Sequence, residues 1–439
     1  MAAPVSLERY ERALLNASAL RVCGRITSVV GLTILATGPR MSVGDLCHVR
    51  TRDTGELLPL EVVGFREGEM VLMPLGVLHG IAPGLEVKPT HKPRTVPVGE
   101  GLLGRVVNSM GQPIDGRPLP VGLERAPLHA APPPAMSRQR IAEPLPTGVR
   151  AIDACITAGR GQRMAILSGS GVGKSKLMGM ITRGTSADVC VVGLIGERGR
   201  EVREFIENDL GPEGLARSVV VAATSDEPAL LRLSGAFTAT AIAEWFRDQG
   251  LNVMLMMDSL TRFAMAQREV GLAVGEPPTT KGYPPSVYAL LPQVLERAGN
   301  SDKGSITAFY TVLVEADDLN DPIGDAVRSI ADGHIALSRE LSTRGHYPPV
   351  SVLDSVSRSM TDVATREHLE RALEMRRLMA AYRDAEDLIN IGAYVPGSNA
   401  EIDRSMRLMP QINRFLRQGL REHAPFESLP GLMQQALTG

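Results

Sequence analysis

The stretch "LSGSGVGKSK", residues 167–176, places three glycines within five positions and follows them with Lys174 and Ser175. It departs from the phosphate-binding pattern GxxxxGK[ST], because the first glycine of that pattern falls on Ser168. Two interpretations are therefore open. The stretch is either a loop that cradles phosphate groups or an ordinary glycine-rich turn, and the flanking sequence has to separate them.

An apolar run, "RMAILSG", precedes the loop, and a helical pattern, "KSKLMGMITRG", follows it. Between a strand and a helix, glycines allow backbone N–H groups to converge on an anion, and the helix N-terminus adds partial positive charge. Lys174 would then reach the outer phosphates and the Ser175 hydroxyl would bind Mg²⁺. The first position requires only a small residue in a tight turn. The predicted phosphate-binding residues are Ser168, Gly169, Ser170, Gly171, Val172, Gly173, Lys174 and Ser175.

From about residue 150, apolar runs alternate with helical patterns, which is typical of a doubly wound α/β sheet. Residues 21–95 instead contain short alternating strands separated by turns and predict a small β-barrel or sandwich. The proline-rich stretch 126–148 predicts an extended connection. After about residue 360 only helical periodicity remains, so we expect a helical domain to close the chain. The apolar runs are "RMAILSG", "DVCVVGLIG", "SVVVAATS", "NVMLMMD" and "SITAFYTVLV".

Composition excludes several classes of protein. The net charge of −2 over 439 residues gives no sign of a broad nucleic-acid-binding face, although local binding stays open. The four cysteines form no CxxC pair and are expected to be reduced core thiols of a cytosolic protein. The eight histidines form no HExxH motif and no cluster with cysteines, which argues against a zinc site held by protein ligands.

The N-terminal segment, residues 1–20, lacks the unbroken apolar core of a signal peptide, and no stretch has membrane-spanning length. We therefore expect a cytoplasmic protein. Leu7, Tyr10, Leu14 and Leu15 share one face of a predicted helix. That face either packs locally or docks on a partner or the membrane surface.

Asp258 ends the buried run "LNVMLMMD". An acid at the carboxyl end of a strand beside a phosphate loop is placed to hold Mg²⁺ through water. The alternative is that Asp258 only caps the helix that follows, in "SLTRFAMAQRE". The presence of Lys174 and Ser175 in the same chain favours the metal role.

A second acid, Glu197, ends the strand in "VVGLIGERGREVREF". There it could polarise the water that attacks a terminal phosphoryl group. Arg198 would orient that acid or contact phosphate, and Glu201 could join the water shell of the metal. The alternative is a solvated charged turn. Near the end of the α/β region, "YPPVSVLDSVSRSM" contains Arg358, which taken alone would be a surface charge or an ion-pair partner.

Together these segments resemble the hexameric ATPases of type III protein export, relatives of the rotary ATP synthase subunits, and most closely the flagellar export ATPases. The resemblance runs from about residue 20 to about residue 420. The segments that carry it include "GEGLLGRVVNSMGQPIDG", "PLPTGVRAID", "SGSGVGKSKLMGMI", "VVGLIGERGREVREFIENDLG", "NVMLMMDSLTRFAMAQREVGLA", "GEPPTTKGYPPSVYALLPQVLERAG" and "LINIGAYVPGSNAEID".

The resemblance implies an α/β fold, with a RecA-like P-loop NTPase core, an N-terminal β-barrel and a C-terminal α-helical domain. It divides the chain into residues 1–20, 21–95, 96–360 and 361–439, and it implies a homohexamer that binds ATP and Mg²⁺ at subunit interfaces. By position in the motifs, Lys174 and Ser175 match the phosphate loop, Glu197 the catalytic acid with Arg198 beside it, and Asp258 the acid on the metal side. Arg262 matches an arginine near the phosphates, and Arg358 the arginine finger of the neighbouring subunit.

Two departures from the rotary relatives matter. Ser351 stands where those proteins usually have Asp or Asn, which leaves the hydrogen bonding of that interface loop open. The acidic loop that meets the rotor in the synthase is missing, and "GAYVPGSNAEID" stands in its place. The second departure argues for export and against ATP synthesis.

The resemblance implies an ATP-driven export motor, cytoplasmic and peripherally associated with the inner-membrane export apparatus. Its expected partners are further copies of itself, membrane proteins of that apparatus, export substrates with their chaperones, and a regulatory, stator-like protein at the N-terminal segment. A virulence injectisome ATPase is the first alternative, although "PPTTKGYPPSV" looks more flagellar. An RNA translocase with the same core is the second. It would need aromatic stacking platforms, and the first hundred residues hold only Tyr10 and Phe65, so no nucleic acid is expected.

Overall fold

The computed structural model describes residues 22–90, 92–314 and 321–438. The chain divides into two units, Met1–Pro93 and Arg94–Gly439. The predicted helical face of Leu7, Tyr10, Leu14 and Leu15 lies outside the described residues. Across the ranges described, no helix combines the length and the apolar character that crossing a membrane requires.

The first unit is a closed β-barrel with the strand order β1-β2-β5-β4-β3-β6. Alternating side chains point inward along each strand, as the sequence pattern predicts, and form a core that includes Ile34, Leu60 and Leu72. Gly24 allows two strands to approach closely, because a Cβ at this position would lie 2.3 Å from the carbonyl oxygen of Thr37. The strands are Gly24–Val30 (β1), Thr33–Thr37 (β2), Leu46–Arg50 (β3), Leu57–Arg66 (β4), Glu69–Pro74 (β5) and Glu86–Pro89 (β6).

The second unit is built on a sheet with the strand order β17-β16-β10-β15-β13-β11-β12-β8. Its pairs from β16 to β8 are parallel, while β17 is antiparallel to β16 and β14 is antiparallel to β15. A separate ribbon pairs β7 with β9. The strands are Thr95–Val98 (β7), Arg105–Asn108 (β8), Glu124–Pro127 (β9), Arg163–Ser168 (β10), Val189–Glu197 (β11), Ser218–Thr224 (β12), Asn252–Asp258 (β13), Gly299–Asn300 (β14), Ser305–Leu313 (β15), Gly333–Leu337 (β16) and Val350–Ser357 (β17).

The central strands are buried along almost their whole length, which explains why they are continuous apolar runs in the sequence. Helices cover the sheet, and a π-helical turn, Phe205–Leu210, interrupts one of them. The α-helices are Arg150–Cys155, Lys174–Gly184, Gly199–Glu204, Gly211–Ala216, Ala229–Asp248, Leu260–Val274, Pro285–Leu295, Pro322–Ile330, Arg339–Thr343, Met360–Val363, Arg366–Asn390, Ala400–Leu416 and Leu429–Thr438. Short 3₁₀ turns lie at Glu100–Leu102, Ala135–Ser137, Thr280–Gly282 and Phe426–Ser428.

The proline-rich stretch is mostly irregular, and side-chain hydrogen bonds hold it to the sheet unit. Arg138 donates 2.8 Å to the carbonyl oxygen of Ala298. The Asn300 amide donates 3.2 Å to the carbonyl oxygens of Gln139 and Arg140. Because prolines supply no N–H groups for a sheet, these side chains carry the contacts that regular pairing would otherwise provide.

All four cysteines lie in the described residues and are free thiols. Cys23 is half-buried, while Cys47, Cys155 and Cys190 are buried. Burial raises the pKa of Cys47 and of Cys155 to about 12 and that of Cys190 to about 11. These three side chains therefore pack as small apolar groups and are poor nucleophiles, because the thiolate is the reactive form.

The helices after residue 365 pack against the sheet unit, and Gln418 joins them to two of its loops. The Gln418 side chain, 4% exposed, donates 2.7 Å to the carbonyl oxygen of Gly148 and 2.8 Å to that of Glu422. Its amide oxygen accepts from the Arg150 N–H at 2.8 Å, and its own N–H donates 2.9 Å to the carbonyl oxygen of Tyr347. Every polar group of this residue's side chain is therefore satisfied by backbone atoms.

We predict that Gln418→Leu, which keeps the approximate size of the side chain, lowers the free energy of unfolding by about 2–4 kcal/mol, because buried backbone groups lose their partners. Urea unfolding followed by circular dichroism measures this change. The matched control is Gln435→Leu, since Gln435 is exposed on the helix Leu429–Thr438. Its effect should stay within about 0.5 kcal/mol. Equal losses in the two variants would contradict the prediction.

Candidate active site

The loop Gly169–Gly173 connects β10 directly to the helix Lys174–Gly184. Gly171 and Gly173 have φ angles of 75° and 112°, in the left-handed region that favours glycine. Gly173 is also the N-cap residue, so the unpaired N–H groups of the first helical turn face the loop. The loop thus offers backbone N–H groups and a helix N-terminus to an anion, which is the geometry of phosphate binding.

Two residues of the predicted loop point into the protein core. Val172 is 1% exposed and packs within the main apolar cluster. Ser168 ends β10 and is fully buried. Within the described residues, its hydroxyl has no hydrogen-bond partner. Serine is therefore accommodated at the first position of the pattern as a small buried residue, and neither Ser168 nor Val172 lines the adjoining cavity.

Lys174 lies between the two acids that the sequence singled out. Its Nζ forms an ion pair with Oδ1 of Asp258 and lies 3.5 Å from Oε1 of Glu197. Burial alone would lower the pKa of Lys174, but the two carboxylates raise it above its ordinary value. The lysine is therefore charged, and it neutralises negative charge that would otherwise be buried without a counterion.

Glu197 is the last residue of β11, and its side chain is 11% exposed. Burial, followed by the nearby carboxylate of Asp258, raises the pKa of Glu197 to about 7, against the opposing effect of Lys174. A carboxyl group that titrates near neutrality can accept a proton more readily than an ordinary surface glutamate. The position and the pKa of Glu197 both suit a general base.

Asp258 is the last residue of β13 and is 3% exposed. Besides the lysine, its Oδ1 accepts a hydrogen bond of 2.7 Å from the Thr311 hydroxyl on β15. The helix that follows is capped by Ser259, whose hydroxyl accepts from the N–H of Arg262. The capping alternative for Asp258 is therefore wrong, because the next residue fills that role.

Arg262 lies on the helix Leu260–Val274 and packs against Gly196. A Cβ on Gly196 would lie 2.7 Å from the Cβ of Arg262, so a side chain at 196 would displace the arginine. Among the described residues, the buried Nε of Arg262 has no hydrogen-bond partner. A buried charged donor without a partner is costly, and it points to a group that binds there.

A cavity of about 450 Å³ joins these elements beside the loop. It brings together most of the predicted site: Gly169, Ser170, Gly171, Gly173, Lys174, Ser175, Glu197, Arg198, Glu201 and Arg262. Asp258 lies behind Lys174 and does not line the cavity. Arg198 is 78% exposed, and its Nη1 lies 3.4 Å from Oε1 of Glu201, so these two side chains form the solvent-facing edge of the site.

Arg358 is not brought to this cavity within one chain. It follows β17, the edge strand of the sheet, and its side chain is exposed. Its N–H donates 2.9 Å to the carbonyl oxygen of Asp332. Nearby, Ser351 lies within β17, and its hydroxyl donates 2.5 Å to Oδ2 of Asp354, which defines the hydrogen bonding that the sequence left open.

The model of the ATP synthase alpha/beta family, nucleotide-binding domain, matches residues 148–357, and that of the T3SS EscN ATPase C-terminal domain matches residues 364–435. The chain is 55% identical to the flagellum-specific ATP synthase of Bacillus subtilis, over 92% of each chain. It is 49% identical to the type 3 secretion system ATPase of Xanthomonas euvesicatoria, over 97% of this chain and 96% of that one.

The chain belongs to the type III protein export ATPase family. A solved structure, the assembled ATPase EscN of enteropathogenic E. coli, matches with a TM-score of 0.90 at 44% identity, over 94% of this chain and all of that one. These matches confirm the predicted fold class of this export ATPase, and they establish ATP hydrolysis as its activity.

Some residues next to the cavity of the export ATPase were not predicted from the sequence. Tyr347 is 46% exposed, and its ring would lie 3.9 Å from a Cβ on Gly173. The sequence offered one signal, because the stretch "YPPVSVLDSVSRSM" that carries Arg358 begins with this aromatic residue. No sequence pattern indicated the contact of Thr311 with Asp258 or the ion pair between Lys176 and Asp209. Both contacts depend on which helices and strands pack next to each other.

We predict that the carboxyl group of Glu197 titrates near pH 7 in the nucleotide-free export ATPase, so it is mostly protonated at pH 6 and mostly charged at pH 8. Asp258→Asn should lower the pKa of Glu197, because it removes a neighbouring negative charge. Lys174→Met should raise it, because it removes the cation. Carbon-13 NMR of labelled glutamate carboxyls, assigned with Glu197→Gln, measures both. Titration in the ordinary glutamate range, or shifts in the same direction, would contradict this account.

Proposed function

We propose that this chain is the ATPase of a homohexameric motor that energises the type III export of flagellar proteins. The observation that carries the proposal is the arrangement of Lys174 between Glu197 and Asp258 beside the glycine-rich loop. This arrangement combines a phosphate-binding cation, a metal-side acid and a candidate base. The relative that is 55% identical is named a flagellum-specific ATP synthase, which supports the flagellar assignment.

The residues fit ATP with Mg²⁺. The N–H groups around Gly171 and Gly173 and the ammonium of Lys174 suit the phosphates, and the unpartnered buried Nε of Arg262 suits an anionic oxygen. Ser175, exposed at the start of the helix, would hold the metal ion, with Asp258 and Glu201 acting through water. A bound Mg²⁺ would supply positive charge to offset the negative charge that develops on the phosphates. The exposed ring of Tyr347 would stack on the nucleotide base.

In this proposal each protein group has one task during hydrolysis. Lys174 exchanges its contact with Asp258 for the outer phosphates, which leaves the carboxylate oxygens of Asp258 and Glu197 free to accept hydrogen bonds from water. Glu197 orients the attacking water and accepts its proton, a task that suits a carboxyl group with a raised pKa. Arg198, at the exposed edge of the cavity, contacts either this carboxylate or phosphate.

Arg358 completes the site of the neighbouring subunit in this proposal. It is exposed at the sheet edge beyond β17 and does not line the cavity of its own chain. The solved structure with a TM-score of 0.90 is described as an assembled ATPase, which supports assembly of this chain as well. An arginine supplied from a neighbouring subunit stabilises negative charge in the transition state of phosphoryl transfer.

The proposed partners bind outside this site. Leu388, Ile391 and Val395 expose apolar side chains around the turn that joins the last two long helices, and this supports binding of export substrates, their chaperones or the export apparatus there. A regulatory protein at the N-terminal segment and peripheral attachment to the inner membrane belong to the same proposal. The 49% identical type 3 secretion system ATPase supports the alternative of an injectisome motor with the same chemistry.

We predict that Lys174→Ala lowers kcat for ATP hydrolysis by at least about 100-fold, because one charged donor to the phosphates is lost. Steady-state phosphate release measures the loss, and circular dichroism confirms that the variant is folded. Arg366→Ala serves as the control, since Arg366 is 93% exposed and pairs with Glu370 on its own helix. Near-normal turnover in Lys174→Ala would overturn the assignment of the site.

We predict that Arg358→Ala keeps nucleotide binding but lowers hydrolysis in the assembled protein by roughly 10³-fold or more, the effect expected of an arginine finger. Mixing this variant with Lys174→Ala should restore part of the activity. In mixed rings, some interfaces combine the intact loop of one subunit with the intact arginine of its neighbour. Turnover of the mixture equal to the sum of the separate variants would rule out action between subunits.

The assignment to flagellar export is tested in the bacterium that carries this gene. Deletion of the gene should abolish motility, the native gene should restore it, and Lys174→Ala should not. Unchanged motility together with loss of protein injection into host cells would select the injectisome alternative.

ATPase activity measured against protein concentration, with mass determined in parallel, tests whether ring formation activates the enzyme.

A further inference from the structure

An ion pair at the mouth of the cavity is not used by the proposed mechanism. Nζ of Lys176, two residues after the loop lysine, lies 2.7 Å from Oδ1 of Asp209. The lysine side chain is 52% exposed and the aspartate 9% exposed. Both residues line the same cavity as Lys174 and Ser175. This pair therefore differs from an ordinary surface ion pair, whose two members are solvated and contribute little.

The backbone holds Asp209 in this place. It lies in the π-helical turn Phe205–Leu210, whose ends are anchored by Phe205 and Leu210 in the main apolar core. The turn packs directly on the loop helix, since a Cβ on Gly179 would lie 2.8 Å from the Cβ and the carbonyl oxygen of Asp209. π-Helical turns are uncommon and are frequent at functional sites. The carboxylate is thus fixed against the helix that begins at Lys174.

The cavity wall carries charged side chains of both signs. Within the described residues it carries four basic side chains, Lys174, Lys176, Arg198 and Arg262, and four acidic ones, Glu197, Glu201, Glu204 and Asp209. Removing one of these charges therefore changes the net charge that faces whatever occupies the cavity. The interaction energy between that net charge and a bound anion grows in magnitude with the charge of the anion.

We propose that the Lys176–Asp209 pair sets the electrostatic potential of the cavity wall and so determines how strongly the site prefers ATP over ADP. The proposal rests on the proposed binding of nucleotide in this cavity. Lys176 attracts the phosphates, and Asp209 limits that attraction while holding the lysine beside the loop. The two residues act on nucleotide affinity in opposite directions, although they form a single ion pair.

The two single variants are expected to change the Kd for ATP in opposite directions, which makes the test specific. Lys176→Met leaves the carboxylate of Asp209 uncompensated and should raise the Kd for ATP roughly 3- to 10-fold, whereas Asp209→Asn leaves an extra cation and should lower it by a similar factor. Isothermal titration of the full chain with ATP, ADP and adenosine measures this. The shifts should be smaller for ADP than for ATP and absent for adenosine. Raising the salt concentration should reduce them.

A double variant provides the matched control. Lys176→Met combined with Asp209→Asn keeps the net charge of the wild-type cavity wall and should return the Kd for ATP to within about twofold of the wild-type value. Both single variants lose the same ion pair, so a purely structural role would lower their thermal stability together and shift their affinities in the same direction. That result, or equal shifts for adenosine and ATP, would overturn the proposal.

The outcomes also separate this proposal from the proposed function. Normal ATP hydrolysis with no change of Kd in either variant would leave the nucleotide site in place and reject the role of the pair. Failure of the wild-type chain to bind ATP would reject both. If Lys176→Met does not fold, Asp209→Asn alone decides, because it keeps the shape of the side chain. Unchanged or weaker ATP binding in that variant would then reject the proposal.

Discussion

The ammonium of Lys174 between the carboxylates of Asp258 and Glu197 is the interaction on which the site depends. The lysine starts the helix after β10, while the two acids end β13 and β11. A fourth element joins them, because Thr311 on β15 donates to Asp258. Parallel strands place their carboxyl ends along one edge of the sheet, so groups from distant parts of the sequence meet at that edge.

Burying these charges together has a chemical consequence. Two carboxylates near one ammonium cannot both be fully compensated, and burial together with the Asp258 carboxylate raises the pKa of Glu197 to about 7. The same neighbourhood contains a buried arginine nitrogen, on Arg262, for which the described residues supply no acceptor. The unpartnered arginine nitrogen suits an anionic oxygen, and phosphoryl transfer depends mainly on such preorganised charge.

Much of this arrangement could be predicted from the sequence. The five central strands are continuous apolar runs because both faces of the sheet are covered, and Glu197 and Asp258 stand out as acids where such runs end. Strands that are short or that combine polar and apolar residues, such as β8, give only a weak strand pattern in the sequence. Ion pairs across elements, including Lys174 with Asp258 and Lys176 with Asp209, could not be predicted, because local patterns carry no information about strand order or about a π-helical turn.

Gln418 gives the C-terminal helices a thermodynamic connection to the nucleotide site. Its backbone binds the loop that carries Tyr347, and its side chain binds Gly148, which packs directly on Gly184 at the end of the loop helix. A protein that binds those helices and shifts them would therefore also act on the Tyr347 loop, which lies next to Gly173, and on the far end of the loop helix. Linkage is reciprocal, so the factor by which such a partner changes ATP affinity is also the factor by which ATP changes the affinity for that partner.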